Sequence, residues 1–177
     1  MFKAMLLVVI LLLTGCSSIP LSTMLEMRSY SKEDFLATQP EQLRAQVLLV
    51  QPVRADLEKV ELQLELETSK GSRLYQFPLQ LLVEEQLPEV SGLFSTTPAK
   101  NSYTFKLSEL AITNFVEMQQ LLAEQKSAKL NFTISSGLLD IPKGASSVTL
   151  TARLKLSEQN DYLTLFEDAK LALDHSD

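Results

Sequence analysis

Residues 58–68 read Glu-Lys-Val-Glu-Leu-Gln-Leu-Glu-Leu-Glu-Thr, and this stretch decides the fold class of the chain. Apolar and polar side chains alternate along it without a break; the apolar set is Val60, Leu62, Leu64 and Leu66, and the polar set is Glu61, Gln63, Glu65 and Glu67. Successive side chains of a strand point to opposite faces, so this period of two predicts a strand with one buried face and one wet face. That arrangement is typical of antiparallel sheets.

The flanking sequence extends the sheet. Residues 69–72 (Ser-Lys-Gly-Ser) have hairpin-turn chemistry, because Gly71 can adopt a positive φ without steric cost. Further alternating stretches predict strands at 45–53, 73–84 (with Tyr75, Phe77, Leu79, Leu81 and Val83 on one face), 103–107, 130–134 and 148–156. Pro52 and Pro78 lack a backbone N–H, so each indicates a strand end, a sheet edge or a bulge.

Residues 162–173 fit two periods. Ala169, Leu171 and Leu173 alternate as in a strand, whereas Leu163, Phe166, Lys170 and Leu173 would share one face of a helix. We favour a strand, because residues 159–161 (Gln-Asn-Asp) have hairpin-turn chemistry directly after a predicted strand.

Two helices complete the predicted fold. Ser31 is a candidate N-cap of a short helix that ends near Pro40, and Ser108 caps a longer one over residues 109–126. The longer helix has one apolar face, formed by Ala111, Phe115, Met118 and Leu122 and widened by Ile112, Val116 and Leu121. We therefore predict a mainly β (α+β) fold: an antiparallel β-sandwich-like domain of about seven strands with one long amphipathic helix packed on it and a short N-terminal helix.

The amino terminus resembles a lipoprotein signal peptide. Lys3 precedes an apolar run over residues 4–13, which is typical of a secretory signal and shorter than the roughly 20 residues that cross a bilayer. The ending Leu13-Thr14-Gly15-Cys16 resembles the lipobox of bacterial lipoproteins. The resemblance implies that the thiol of Cys16 takes a diacylglycerol, that the chain is cut after Gly15 and that the new amine is acylated.

The resemblance predicts a cleaved signal peptide (1–15) and the lipidated Cys16 with a short leader (16–30). The strand and helix pattern predicts a single β-rich domain (31–173), and the last residues (174–177) are expected to be a frayed tail. Acyl chains on Cys16 would attach the protein to a membrane. In enterobacterial-type sorting, Asp directly after the lipidated Cys retains a lipoprotein at the inner membrane. Ser17 occupies that position, so the resemblance implies an outer-membrane location facing the periplasm.

The composition argues against several classes of function. The chain has 22 acidic and 16 basic side chains, a net charge of −6, whereas binding to nucleic acid needs a basic face. His175 is the only histidine and Cys16 the only cysteine, which is too few ligands for a usual zinc site. The five glycines form no phosphate-binding loop. We therefore expect no metal, no cofactor and no enzymatic activity.

The order of the predicted elements also resembles a group of small proteobacterial lipoproteins. In that group, as here, Ile-Pro-Leu-Ser-Thr-Met (19–24) directly follows the acylated region, and an aromatic-x-aromatic-x-Leu-Ser run (103–108) leads into the amphipathic helix. The resemblance implies the architecture alone, since the group has no established activity.

Residues 86–102 are the first place to look for function. They show no sustained period and contain Pro88, Gly92 and Pro98, so we expect an irregular connection, and connections of this length are often functional. Leu93 and Phe94 form its most apolar dipeptide and are the candidate partner contact, since exposed apolar patches mark interaction sites. The alternative is that both side chains fold back onto the core.

Two functional hypotheses follow. The first is a non-enzymatic lipoprotein that docks onto an unknown envelope protein or complex. The second is a carrier whose domain opens to hold an apolar ligand such as an acyl chain; an enzyme ranks third. A helix packed down on an unbroken core would favour docking, whereas a dry, elongated cavity between sheet and helix would favour the carrier.

Overall fold

One curled antiparallel sheet forms the body of the protein. The computed structural model describes residues 31–68, 71–93, 95–125 and 128–173, and for residues 128–136 it describes the backbone alone. The strands are β1 (Arg44–Val50), β2 (Arg54–Thr68), β3 (Gly71–Leu87), β4 (Val90–Ser91), β5 (Thr96–Thr97), β6 (Lys100–Leu107), β7 (Ala128–Leu139), β8 (Ser147–Lys155) and β9 (Leu163–Ala172). The helices are α1 (Lys32–Ala37), a 3-10 turn (Pro40–Gln42) and α2 (Glu109–Ala123).

The main sheet has seven strands among the described residues, in the order β7-β2-β3-β6-β1-β8-β9, and β4 and β5 form a separate two-stranded sheet. Every strand pair is antiparallel. The predicted fold class is therefore confirmed. The ambiguous stretch near the C-terminus is the strand β9, as predicted, paired with β8.

Strand β2 has the alternation that the sequence predicted. Val60, Leu62, Leu64 and Leu66 are all buried, while the acidic and amide side chains between them are partly exposed. Thr68 pairs with Gly71, whose φ of 124° supplies the positive value that the turn requires. Ser69 and Lys70 lie outside the described residues.

Strand β3 changes partner at its middle. Its first half pairs with β2 as far as Pro78, and its second half, from Leu79, pairs with β6. Pro78 therefore lies at a partner change, where the missing N–H interrupts neither ladder. A bulge at Leu82 then shifts the register between Leu81 and Val83. The sequence predicted that Val83 lies on the buried face, and this prediction was wrong. The extra residue in the bulge reverses the face on which each following side chain lies, and Val83 is 45% exposed.

Helix α2 covers the first half of β3. The predicted buried face is confirmed, since Ala111, Phe115, Met118 and Leu122 are all buried. Phe115 lies 5.7 Å from Phe77 of β3 and 5.2 Å from Phe35 of α1, measured between ring centroids. The helix ends at Ala123 rather than residue 126, and Val116 is exposed rather than part of the face.

The two helices fix each other's ends. Lys32 of α1 donates from Nζ to the carbonyl oxygens of Ala123 and Gln125, at 3.2 and 2.6 Å, where α2 ends. In return, the side-chain amide of Gln119 donates to the carbonyl oxygens of Phe35 and Thr38, both at 2.9 Å, where α1 ends. The last carbonyls of a helix have no partner within it, so these bonds satisfy groups that would otherwise be unpaired.

A second buried cluster fills the space inside the curl of the sheet. Its members come from β1, the β1–β2 turn, β2, β6 and β8: Ala45, Val47, Leu49, Val53, Ala55, Val60, Tyr103, Phe105 and Val148. The predicted core side chains of β7, Leu130, Phe132 and Ile134, lie outside the side chains that the structure describes, although the backbone of β7 pairs with β2 as a strand.

Truncation on the two faces of β2 tests this register. Leu64 is fully buried, so Leu64→Ala should lower the free energy of unfolding by about 2–5 kcal/mol in urea denaturation. Glu65→Ala, one position along, loses only an exposed hydrogen bond from Ser72 and should cost no more than about 1 kcal/mol. Equal losses in the two variants would contradict the register.

Candidate functional site

A projecting hairpin is the candidate site. We call residues 82–99 the distal hairpin: it comprises the last six residues of β3, the strands β4 and β5, and the breaks on either side of them. The N–H of Gly92 donates to the carbonyl oxygen of Ser95 at 2.8 Å and closes the tip. The predicted irregular connection over 86–102 was therefore wrong, since most of that stretch is strand.

The two prolines explain why the hairpin has no continuous period. Pro88 follows the end of β3 and Pro98 precedes the start of β6, so each interrupts one arm of the hairpin at a similar level. Both faces of β3 are also exposed from Leu82 onward. An alternation of apolar and polar residues arises only where one face is buried, so this part of the strand leaves no periodic signal.

Apolar side chains project from the distal hairpin into solvent. Leu93 at the tip is 90% exposed and Val90 is 60% exposed. Leu82, Val83 and Leu87 along β3 are exposed as well. Phe94, the second residue of the predicted contact, lies outside the described residues. The chain thus holds several large apolar groups away from its core on one projecting element, which is the pattern expected of an interaction surface.

Acidic side chains accompany these apolar groups. Glu84, Glu85 and Glu89 are all exposed, and within the described part of the chain none of them takes part in an ion pair. The surface of the distal hairpin is therefore both apolar and negatively charged.

The base of the hairpin is fixed to the rest of the sheet by polar contacts. The N–H of Gln51, in the β1–β2 turn, donates to the carbonyl oxygen of Ala99 at 3.0 Å. The buried Asn101 donates from Nδ2 to the carbonyl oxygen of Val53 at 2.8 Å and accepts from Nε2 of Gln51 at 3.2 Å. Because buried amides must be paired, these bonds determine where the hairpin leaves the sheet.

An ion pair adds to this base on the other side. Lys100, the first residue of β6, has a side chain only 12% exposed and donates to Asp168 Oδ1 at 2.6 Å. Thr151 donates to the same oxygen at 3.1 Å and accepts from the N–H of Asp168. The bond from Lys100 lowers the pKa of Asp168 below its ordinary 3.8, outweighing the opposite effect of partial burial.

A buried tyrosine hydroxyl lies beneath the hairpin. Tyr103 is 1% exposed, and its hydroxyl has no hydrogen-bond partner of suitable geometry among the described residues. Burial raises the pKa of this phenol; the nearby N–H of Ala55 acts in the opposite direction, and Glu84 raises it further. The group therefore stays protonated at neutral pH and supplies no general base. Arg54 and Asp140, which pair at 2.5 Å, lie nearby on the surface.

Ser31, the first described residue, lies away from the hairpin tip. Helix α2 begins where the N–H of Ser108 donates to the carbonyl oxygen of Pro78. Its 15 residues, about 22 Å long, pack on β2 and the first half of β3. Lys32 is bonded at the far end of α2, so Ser31 lies there too. The distal hairpin extends from the opposite end of β3. Ser31 thus lies beside the half of β3 that α2 covers, and Leu93 lies beyond the half that α2 leaves uncovered.

The other predicted site residues lie outside the described residues: Cys16, the cleavage residues Leu13, Thr14 and Gly15, and the tail. Within the described chain, no helix is long and apolar enough to span a membrane, and no three His, Cys, Asp or Glu side chains come together as metal ligands. Sequence reasoning singled out the hairpin tip but missed the strand that supports it. The sequence signal that could have indicated this exposed part of β3 is the loss of apolar and polar alternation after Leu81.

A small apolar cavity separates the two core clusters. It lies between Leu43, Leu62, Leu79 and Phe105 among others, and has a volume of about 10 Å³. That is room for a single water molecule and far too little for an acyl chain.

Comparison of the chain with models of protein families, with curated proteins and with solved structures finds no match in any of the three.

Acid should weaken the base of the hairpin through Asp168. Its pKa is lower in the folded protein than its ordinary 3.8, so the ion pair stabilises the fold above about pH 4 and this contribution is lost as the pH falls through the folded value. Asp168→Asn should lower stability at pH 7 by no more than about 1 kcal/mol, since the carboxylate is mostly exposed.

The difference in stability between Asp168→Asn and the parent protein should shrink as the pH falls below 4. Thermal unfolding measured at a series of pH values checks this. Glu167→Gln removes a neighbouring exposed charge and is the control. A difference for Asp168→Asn that stays constant down to pH 2 would show that the ion pair does not contribute.

Proposed function

We propose that the protein is a non-enzymatic lipoprotein of the outer membrane, anchored by acyl chains on Cys16 and facing the periplasm, whose distal hairpin docks onto a partner protein of the cell envelope. The anchor part of this proposal depends on the lipobox resemblance of Leu13 to Cys16. The docking part depends on the structure of residues 82–99.

The exposure of the hairpin carries the docking proposal. An isolated Leu exposed on a surface is ordinary. Here Leu93, Val90 and Leu87 are exposed together on one element, and polar contacts at Ala99 and Asn101 hold that element in place. A fixed apolar projection pays little conformational entropy when it binds, so it suits a contact with a preformed pocket on another protein.

The position of Ser31 supports the same proposal. Ser31 lies beside the C-terminal end of α2, away from the distal hairpin, so acyl chains on Cys16 would attach the protein to the membrane from that part of the domain. The distal hairpin would then point into the periplasm, where a protein partner is accessible.

The core favours docking over the carrier hypothesis. The buried face of α2 packs directly on Phe77 and Leu107, and each of these side chains is no more than 3% exposed. The cavity between the two clusters holds at most one water molecule. The packed helix is the arrangement that distinguishes a docking domain from one that opens around an apolar ligand.

Processing of Cys16 tests the anchor. The mature protein should begin at an acylated Cys16 and fractionate with outer-membrane markers on a density gradient. Cys16→Ala should accumulate as an uncut precursor, because the lipobox thiol is required before cleavage. A soluble parent protein with a free thiol, seen by intact-mass measurement, would refute the lipoprotein proposal.

Crosslinking at the tip tests the docking role. A photoreactive residue at position 93 should crosslink to an envelope protein in intact cells. The same residue at position 110 is the control, because Leu110 is 63% exposed but lies on α2, away from the hairpin. In a parent carrying the photoreactive residue at Val90, Leu93→Ser should abolish the crosslinked species.

A stability measurement distinguishes loss of the partner contact in Leu93→Ser from unfolding of the variant. Leu93 makes almost no buried contact, so Leu93→Ser should change the free energy of unfolding by about 0.5 kcal/mol or less. Crosslinks of equal yield and identity from positions 93 and 110, or none from 93, would count against the docking role.

A further inference from the structure

The second half of β3 has an open edge. From Leu79 to Leu87 this strand pairs with β6 on one side, and its pairing with β2 stops at Pro78. On the side away from β6, no other strand of the described chain pairs with it. An unpaired strand edge offers a row of backbone N–H and C=O groups to an incoming strand.

The edge is regular over five residues. After the bulge at Leu82, Val83 to Leu87 pair one-for-one with Thr104 to Lys100 without a further shift. The other edge strand with described side chains, β9, is interrupted instead: its pairing with β8 shifts register twice, and Asp168 within it has a φ of 45°. Such irregularities block strand addition. The edge of β3 is thus available for pairing with an added strand, whereas the irregular edge of β9 is not.

The pairing fixes which side chains share a face. Directly opposed residues of an antiparallel pair lie on the same face, so Glu84 shares the inner face with its partner, the buried Tyr103. Val83, Glu85 and Leu87 lie on the outer face. An added strand would therefore lie next to Val83, then Glu84 on the inner face and Glu85 on the outer face, and then Gln86 and Leu87.

We propose that the edge of β3 from Val83 to Leu87 binds an extended segment of the partner by strand addition, and that this segment carries two adjacent basic residues flanked by apolar ones. The proposal deepens the docking function above and rests on it. Basic residues opposite Glu84 and Glu85 would pair with carboxylates that have no ion pair among the described residues, and opposite charges across strands stabilise the pairing.

The same charges disfavour a second copy of this chain as the occupant. Antiparallel pairing of the segment with itself about Glu85 places the two copies of Glu85 face to face, with both copies of Glu84 nearby. Like charges opposed across strands are destabilising, and acidic edge residues are a common protection against self-association. The edge is therefore selective for a basic strand.

The test uses a labelled peptide that contains Val-Thr-Lys-Lys-Val and the full-length protein in detergent. Fluorescence anisotropy should show saturable binding that weakens at high salt, since the ion pairs are exposed. The peptide with Glu-Glu in place of Lys-Lys should not bind. Glu84→Lys/Glu85→Lys should weaken binding of the basic peptide by at least roughly tenfold, because it replaces both attractions with repulsions.

The matched control is Glu117→Lys/Glu124→Lys, which makes the same change in net charge at exposed positions of α2 and its C-cap and should leave binding unchanged. Amide hydrogen exchange should slow on peptide binding in residues 82–87. Absence of saturable binding, equal binding by both double variants, or protection elsewhere would overturn strand addition. So would concentration-dependent protection of 82–87 without peptide, since it would show a second copy on the edge.

The experiments can distinguish failure of the docking function from failure of strand addition. If tip crosslinking at position 93 succeeds while the peptide fails, the hairpin binds its partner by side-chain contacts alone, and strand addition is wrong. If the double variant at Glu84 and Glu85 loses its far-UV spectrum, the comparison of the two peptides on the parent protein decides the outcome.

Discussion

The packing of Phe77 against Phe115 is the contact on which the rest of the structure depends. Phe77 is fully buried, and together with Leu64 and Leu66 it forms the floor on which α2 lies. Each large apolar side chain buried in this way contributes about 1.5–3 kcal/mol. Among the described side chains of β3, only Tyr75, Phe77 and Leu79 pack in the cluster that contains α2, so this cover reaches only the first half of β3. The second half extends beyond it.

One strand therefore has two environments, and Pro78 marks the boundary. Before it, β3 lies under a helix with β2 beside it, so its apolar side chains stabilise the fold. After it, β3 has one neighbouring strand and no helix. Leu79 and Leu81 still pack against the core, but the apolar side chains from Leu82 onward face water. Groups exposed in this way contribute nothing to the core. A chain that places Leu93 in solvent depends on the covered half for its stability, and the uncovered half is free to serve another purpose.

The sequence predicts the covered part well and the uncovered part poorly, for a single physical reason. Alternation in β2 and the face of α2 both arise because one side of the element is buried, so Leu64 and Phe115 could be assigned from spacing alone. The caps at Ser31 and Ser108 are local and could be assigned too. The distal hairpin has no buried face and hence no period. The bulge at Leu82, the partner change in β3 and the pairing of β1 with both β6 and β8 depend on contacts distant in sequence, which no local pattern encodes.

The rigidity of the hairpin base bears most directly on function. Exposed apolar residues on a mobile loop would lose entropy on binding and would adapt to many surfaces. Here Asn101, Lys100 and the carbonyl of Ala99 are each bonded to a different neighbour, Val53, Asp168 and Gln51. The base of the hairpin is thus bonded both to the β1–β2 turn and to β9. The open edge and the apolar tip both extend from this base, so a partner that adds a strand to Val83–Leu87 binds a segment that is close in sequence to Leu93. Two contacts that extend from one fixed base favour a single partner geometry over general apolar adhesion.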